Sequence, residues 1–194
     1  MIYESLNFLL VEINKFLNQK LGTTTDPRLV LGNIAKVGDG DTSKNPLNNR
    51  LILSIINIEE DKVSKVRENY TRTSSSIIYK NPPVLVNMYI LIAANFDTYS
   101  DNLKMVAYVI QFFQANNYFT PITHPVLDAK IEQLNADLFT LNFEQINHIW
   151  STLGGKYLPS VMYKIRQITV EDENAAQTEG KWIEEVLTTT KSIQ

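Results

Sequence analysis

Two histidines, one run of three carboxylates, two aspartates in a glycine loop and one glycine pair are the positions of this 194-residue sequence where chemistry could reside. Histidine acts as a base or metal ligand when a second histidine or a carboxylate stands at a fixed spacing from it. His124 lies between Thr123 and Pro125 in a predicted loop, and His148 stands beside Ile149 on a predicted helix, each without a second histidine at ligand spacing. His148 therefore reads as a structural or interface residue. Glu59, Glu60 and Asp61 are consecutive at the end of a predicted strand; successive strand side chains point to opposite faces, so they do not form a matched acid–base pair. Asp39 and Asp41 flank Gly40 without the further oxygen ligands and glutamate of a calcium loop. Gly154 and Gly155 follow a helix, whereas a phosphate loop precedes one. There is no Gly-x-Ser-x-Gly elbow. Cysteine is absent, which removes disulfides, thiolate metal sites and thiol nucleophiles together. The residues point to no catalytic, cofactor or metal site, and the expectation is a protein that is not an enzyme.

The elements that hold these positions are readable from periodicity. Residues 2–21 carry Ile2, Leu6, Leu9, Leu10, Ile13, Phe16, Leu17 and Leu21 at helical spacing, ended by Gly22. A strand is predicted at 28–36, and a polar loop runs from Gly38 to Asn49. Segments 51–58 and 84–94 are apolar on both faces, the pattern of interior strands covered by helices. Ser100 is the expected cap of a second helix reaching about Asn117, with Leu103, Val106, Ala107, Ile110 and Phe113 as its buried stripe and Phe112 beside it. Segment 119–125 reads as a loop and 131–141 as a strand. Asn142 with Gln145 forms a capping-box pattern, and Phe143, Ile146, Trp150 and Leu153 make one face of a third helix. From Val161 to Val170 the period becomes two, with Lys164 and Arg166 on one side and Tyr163 and Ile165 on the other. The expected fold is an α/β (α+β) sandwich: a mixed, mainly antiparallel sheet of about five strands packed by three helices.

Composition sets the outer limits. The length suits one domain, and a hydrophobic fraction of 44% is enough for its core. The first twenty residues carry Glu4 and Glu12, unlike a signal peptide, and no apolar run approaches the ~20 residues of a spanning helix, so a cytoplasmic product without membrane insertion is expected. Residues 1–170 hold 16 Lys and Arg against 15 Asp and Glu, which argues against nucleic acid as a partner. Residues 171–194 hold two Lys against six acidic residues and read as an acidic C-terminal extension to a 1–170 domain. Between the two interior strands, residues 61–80 carry Lys62, Lys65, Arg67, Arg72 and Lys80 against Asp61 and Glu68, with Ser74, Ser75 and Ser76 at the centre. Such a long basic connection reads either as a self-solvating hairpin or as a partner-binding arm.

One ordered set of segments goes further. Residues 143–166 resemble the tail-terminator, or cap, family of extracellular contractile injection systems, phage-tail-like particles that include virulence cassettes and antifeeding prophages. Segments 1–9, 30–34, 56–60, 79–84 with Asn81, Pro82 and Pro83, 87–91 and 110–114 are similar to the same family in the same order. The resemblance implies a ring on the distal end of tube and sheath, a homo-oligomer with sixfold symmetry, that ends polymerisation and steadies the extended sheath. Its partners would be inner-tube and sheath proteins. Assembly would be cytoplasmic, and the product would become part of the injection particle, released or membrane-anchored. The other reading in the same particle is an assembly factor or baseplate adaptor. Longer family members continue past the last shared strand, so a separate adaptor or second cap protein would supply what that region does. Local charge and length select the candidate contact residues. Lys62, Lys65, Arg67, Tyr70 and Arg72 form the arm, and Glu171, Asp172, Glu173 and Trp182 face a neighbouring subunit.

Overall fold

A computed structural model describes residues 1–38, 45–62, 70–72, 76–79, 83–170 and 178–181. The helices are α1 (Ile2–Leu21), α2 (Tyr99–Ala115) and α3 (Phe143–Thr152). The strands are β1 (Leu29–Leu31), β2 (Arg50–Glu60), β3 (Tyr70–Arg72), β4 (Ser76–Tyr79), β5 (Val84–Asn95), β6 (Tyr118–Phe119), β7 (Leu134–Leu138), β8 (Ser160–Val170) and β9 (Thr178–Lys181). The main sheet has six strands in the order β1-β2-β5-β8-β7-β6, and a second sheet has the order β3-β4-β9. Only the β1–β2 pair is parallel, so the sheet is mixed and mainly antiparallel, as the patterning predicts.

Strand alternation divides the core between two faces. Leu51, Leu53, Met88, Ile90, Ile92, Tyr163 and Ile165 face α1 and α2. Ile52, Leu91, Ala93 and Met162 face the other way, onto Trp150 of α3 and onto Ile34 and Leu47 from the crossover that joins β1 to β2. A parallel neighbour requires such a crossover. Both faces of β2 and β5 are therefore covered, which accounts for their continuous apolar runs.

Several boundaries depart from the sequence pattern for local reasons. The strand expected over 28–36 stops at Leu31, because the Asn33 side chain accepts from the Ala35 N–H and starts a 3-10 turn at Ile34–Lys36. The strand expected over 131–141 keeps only Leu134–Leu138. Part of the segment read as a loop is the sixth strand, β6, paired Phe119 to Leu134 and Tyr118 to Asn135. Ser100 does not cap α2. Thr98 holds the N-cap position without a side-chain bond, and Asn102 ties the entry by accepting from Phe96 N–H and donating to Phe96 C=O.

α2 is also rotated from the expected stripe by about one residue. Met105, Val109, Phe112 and Phe113 are buried, whereas Leu103 is 49% and Ile110 41% exposed. The rings decide the rotation: Phe112 lies 5.7 Å from Phe16, 5.1 Å from Phe113 and 6.1 Å from Phe119, and an aromatic cluster buries more area than the aliphatic stripe it displaces. The capping box of α3 forms as patterned: Asn142 accepts from Gln145 N–H at 2.8 Å and Gln145 accepts from Asn142 N–H at 3.0 Å. Trp150 is buried and Ile146 and Leu153 are half-buried, but Phe143 is 92% exposed. Gly154 and Gly155 take positive φ, and Gly155 N–H closes the helix on Trp150 C=O at 2.7 Å.

Candidate functional site

The basic connection and the C-terminal segment meet. β3 and β4 form a hairpin with Tyr70 opposite Tyr79, and β9 pairs antiparallel with the other side of β4, Ile78 opposite Glu179. The order β3-β4-β9 repeats the order β2-β5-β8 of the central strands from which the three chains lead. Ten residues run from Glu60 to Tyr70 opposite seven from Val86 to Tyr79, and eight from Val170 to Thr178 opposite five from Val84 to Tyr79. Each outer connection is thus three residues longer than the central one. Lys62 is exposed directly after β2, and Tyr70 and Arg72 are the first and last residues of β3. Lys65, Arg67, Glu171, Asp172, Glu173 and Trp182 lie outside the described residues. By sequence, residues 61–80 carry a net charge of +3 and residues 171–181 a net charge of -3.

At the base of this extension a polar group spans β2, β5 and β8. The Tyr89 hydroxyl donates to Glu59 Oε2 at 2.7 Å, Lys164 Nζ lies 3.6 Å from the same oxygen, and the ammonium stands 5.2 Å from the Tyr89 ring centre. The Tyr89 hydrogen bond, then the Lys164 charge, hold the Glu59 carboxyl below its ordinary value of 4.5, and the Tyr89 contact, aided by Glu59, raises Lys164. A depressed carboxyl stabilises the fold above its unfolded pKa and loses that effect as pH falls through the folded value. The thermal midpoint of the native chain should therefore drop more between pH 5 and pH 3 than that of Glu59→Gln, as read by calorimetry; equal drops would show that this group does not couple to folding. Burial pushes the Tyr163 phenol up to about 12.

An apolar trough opens on the α3 face. A cavity of about 310 Å³ is lined by Tyr89, Phe139, Ile149 and Met162 with His148 and Gln145 at its polar side. A second of about 250 Å³ shares Phe139, Ile149 and Met162 and continues to Ile110, Leu138 and Tyr157. Ile110, Leu138 and Tyr157 are exposed apolar residues on its rim. His148 thus borders the trough. His124 is held structurally, its Nδ1 2.9 Å from the Thr123 hydroxyl and its ring 5.1 Å from Phe119 and 5.7 Å from Phe8. Among the described residues no group of three His, Asp or Glu is placed to hold a metal ion, and no helix is long and apolar enough to cross a membrane. The trough was not found from the sequence. Its one signal was that α2 carries more apolar residues than a single buried face needs.

The chain is thus a six-stranded mixed sheet with helices on both faces and a three-stranded extension. Two solved structures share its fold. One is the sheath/tube terminator of an extracellular contractile injection system (PVC) in the extended state, at TM-score 0.53, 15% identity, 95% of this chain and 65% of that one. The other is the tube-terminating cap of the anti-feeding prophage, at TM-score 0.58, 16% identity, 93% of this chain and 59% of that one. The chain thus spans about three fifths to two thirds of the length of these proteins. It belongs to the Pvc16 N-terminal domain family, whose model matches residues 11–182. No curated protein matches it.

Proposed function

We propose that this chain is the cap of a contractile injection particle: a ring on the distal end of tube and sheath that ends their polymerisation and steadies the extended sheath. The observation that carries the reading is family membership over residues 11–182 together with a fold shared, over nearly the whole chain, with two tube terminators. Six copies would match the symmetry of tube and sheath, joined head to tail through different surfaces of each subunit. The 1–170 body would form the ring, and the basic arm with the acidic 171–194 extension would reach sheath, tube or the next subunit. A separate adaptor or second cap protein would complete the distal end. The subunit assembles in the cytoplasm and becomes part of the particle, released or membrane-anchored. Its work is geometric, without turnover of a substrate.

Deleting the gene and imaging the particles tests this. Tubes and sheaths of uncontrolled or unstable length are expected; particles of normal length without the subunit overturn the reading, and particles lacking baseplates indicate a baseplate adaptor. The arm is tested separately by replacing Lys62, Lys65, Arg67 and Arg72 with Ser. Exposed ionic contacts contribute about 0.2–1 kcal/mol each. Binding to tube or sheath should weaken by about fourfold or more at low salt, with the difference shrinking as salt screens it, and the thermal midpoint of the body should stay in place. Unchanged binding defeats the arm assignment.

A further inference from the structure

The open edge of the main sheet at β1 is occupied by a side chain. β1 bonds to β2 through alternate residues: Leu51 N–H donates to Arg28 C=O at 2.7 Å and Gly32 N–H donates to Leu53 C=O at 3.1 Å. The backbone groups of Leu29 lie on the opposite side, away from β2. Asn14, in the middle of α1, meets both. Its Nδ2 donates to Leu29 C=O at 2.9 Å, and its Oδ1 accepts from Leu29 N–H at 2.9 Å. The same Nδ2 also donates to Leu10 C=O at 3.0 Å, which fixes the amide plane against its own helix. A side-chain amide carries the donor and acceptor of a peptide group, so Asn14 stands where one residue of an added strand would stand.

We infer that Asn14 closes this edge, so that an extended segment of a second copy of the chain cannot extend the six-stranded sheet at β1. The need for a guard is plain from the strand. β1 reads Leu-Val-Leu, apolar and without proline or lysine, and such an edge is a template for pairing with another chain. With Leu29 occupied, Leu31 is the only other outward-facing residue of this three-residue strand, too little to set a ladder. The sheet's opposite margin, β6, is kept to two residues, another way of blunting an edge. Asparagine inside a helix is less favourable than alanine, and edge closure gives a reason for it there. The inference stands on the fold and does not rest on the capping role. For a cap it would mean that nothing grows past the end of the particle by strand pairing at β1.

Two substitutions separate a guard from a merely structural residue. Asn14→Ala removes all three hydrogen bonds while improving helix propensity; Asn14→Lys removes them too but leaves a charged side chain at the edge, itself a barrier to pairing. In both, hydrogen exchange at the Leu29 amide should accelerate at least tenfold. In sedimentation velocity from about 1 to 100 μM, only Asn14→Ala should form species larger than the native chain forms. Asn14→Ala keeping the native size distribution, Asn14→Lys associating to the same extent, or an Asn14→Ala chain that does not fold would each overturn the inference.

Discussion

Replacing Phe119 with alanine should lower the stability of the chain by about 3–5 kcal/mol, the range for deleting a fully buried aromatic ring, and its thermal midpoint by about 10 °C. Phe119 is fully buried. Its ring meets Phe8 edge-on at 5.3 Å, stacks on Phe112 at 6.1 Å and receives His124 at 5.1 Å, so α1, α2 and the following turn converge on it. β6 contributes only two ladder pairs to the sheet. The ring, more than the backbone, keeps that margin closed. The matching control is Leu103→Ala, half-exposed on α2 and expected to stay within about 0.5 kcal/mol of the native chain. Thermal denaturation of both variants also tests the rotation of α2. If Leu103→Ala were the more damaging, the aliphatic stripe read from periodicity would be the buried one.

That rotation shows where sequence reasoning loses information. Period alone placed all three helices, both interior strands and the α3 capping box, because each rests on contacts within a few residues or on a strong alternation. α2 carries two adjacent apolar stripes, and choosing between them requires knowing that Phe16, 96 residues before Phe112, and Phe119, 7 residues after it, both come to meet its ring. Phe143 failed for a related reason: it matches the period of α3 but falls in the first turn, beyond the reach of the sheet, and stays exposed. β6 was missed because two residues are too few to alternate. The apolar trough depends on side chains from β5, β7, α3 and α2 that no local pattern links. The long basic connection was legible as unusual from its length and charge. Its partner was not, since β4 and β9 are a hundred residues apart and pair through backbone groups that carry no sequence signature.

The pairing of β9 with β4 gives the second large effect. Ending the chain after Val170 removes the strand that flanks β4 and the acidic residues that match the basic arm. Among the described residues the last member of the buried core is Ile168. Body stability should change by less than about 1 kcal/mol, whereas, if the arm binds tube or sheath as proposed, that binding should fall at least tenfold, because the arm would have to order itself as an isolated two-stranded hairpin, which is marginal in water. Binding that survives truncation would show that the arm acts without the tail. Where the tail goes is decided by a pair of cysteines, Ile78→Cys with Glu179→Cys. These residues are directly opposed in the β4–β9 register, and opposed antiparallel residues have Cα atoms about 4.5–5.5 Å apart, within disulfide reach. The native chain has no cysteine to compete. Mild oxidation should give a crosslink within one chain, seen as a faster-migrating monomer on non-reducing gels, with capping retained. A ladder of covalent multimers would instead mean that each tail crosses to the arm of a neighbouring copy, and the acidic extension would then hold copies of the chain together.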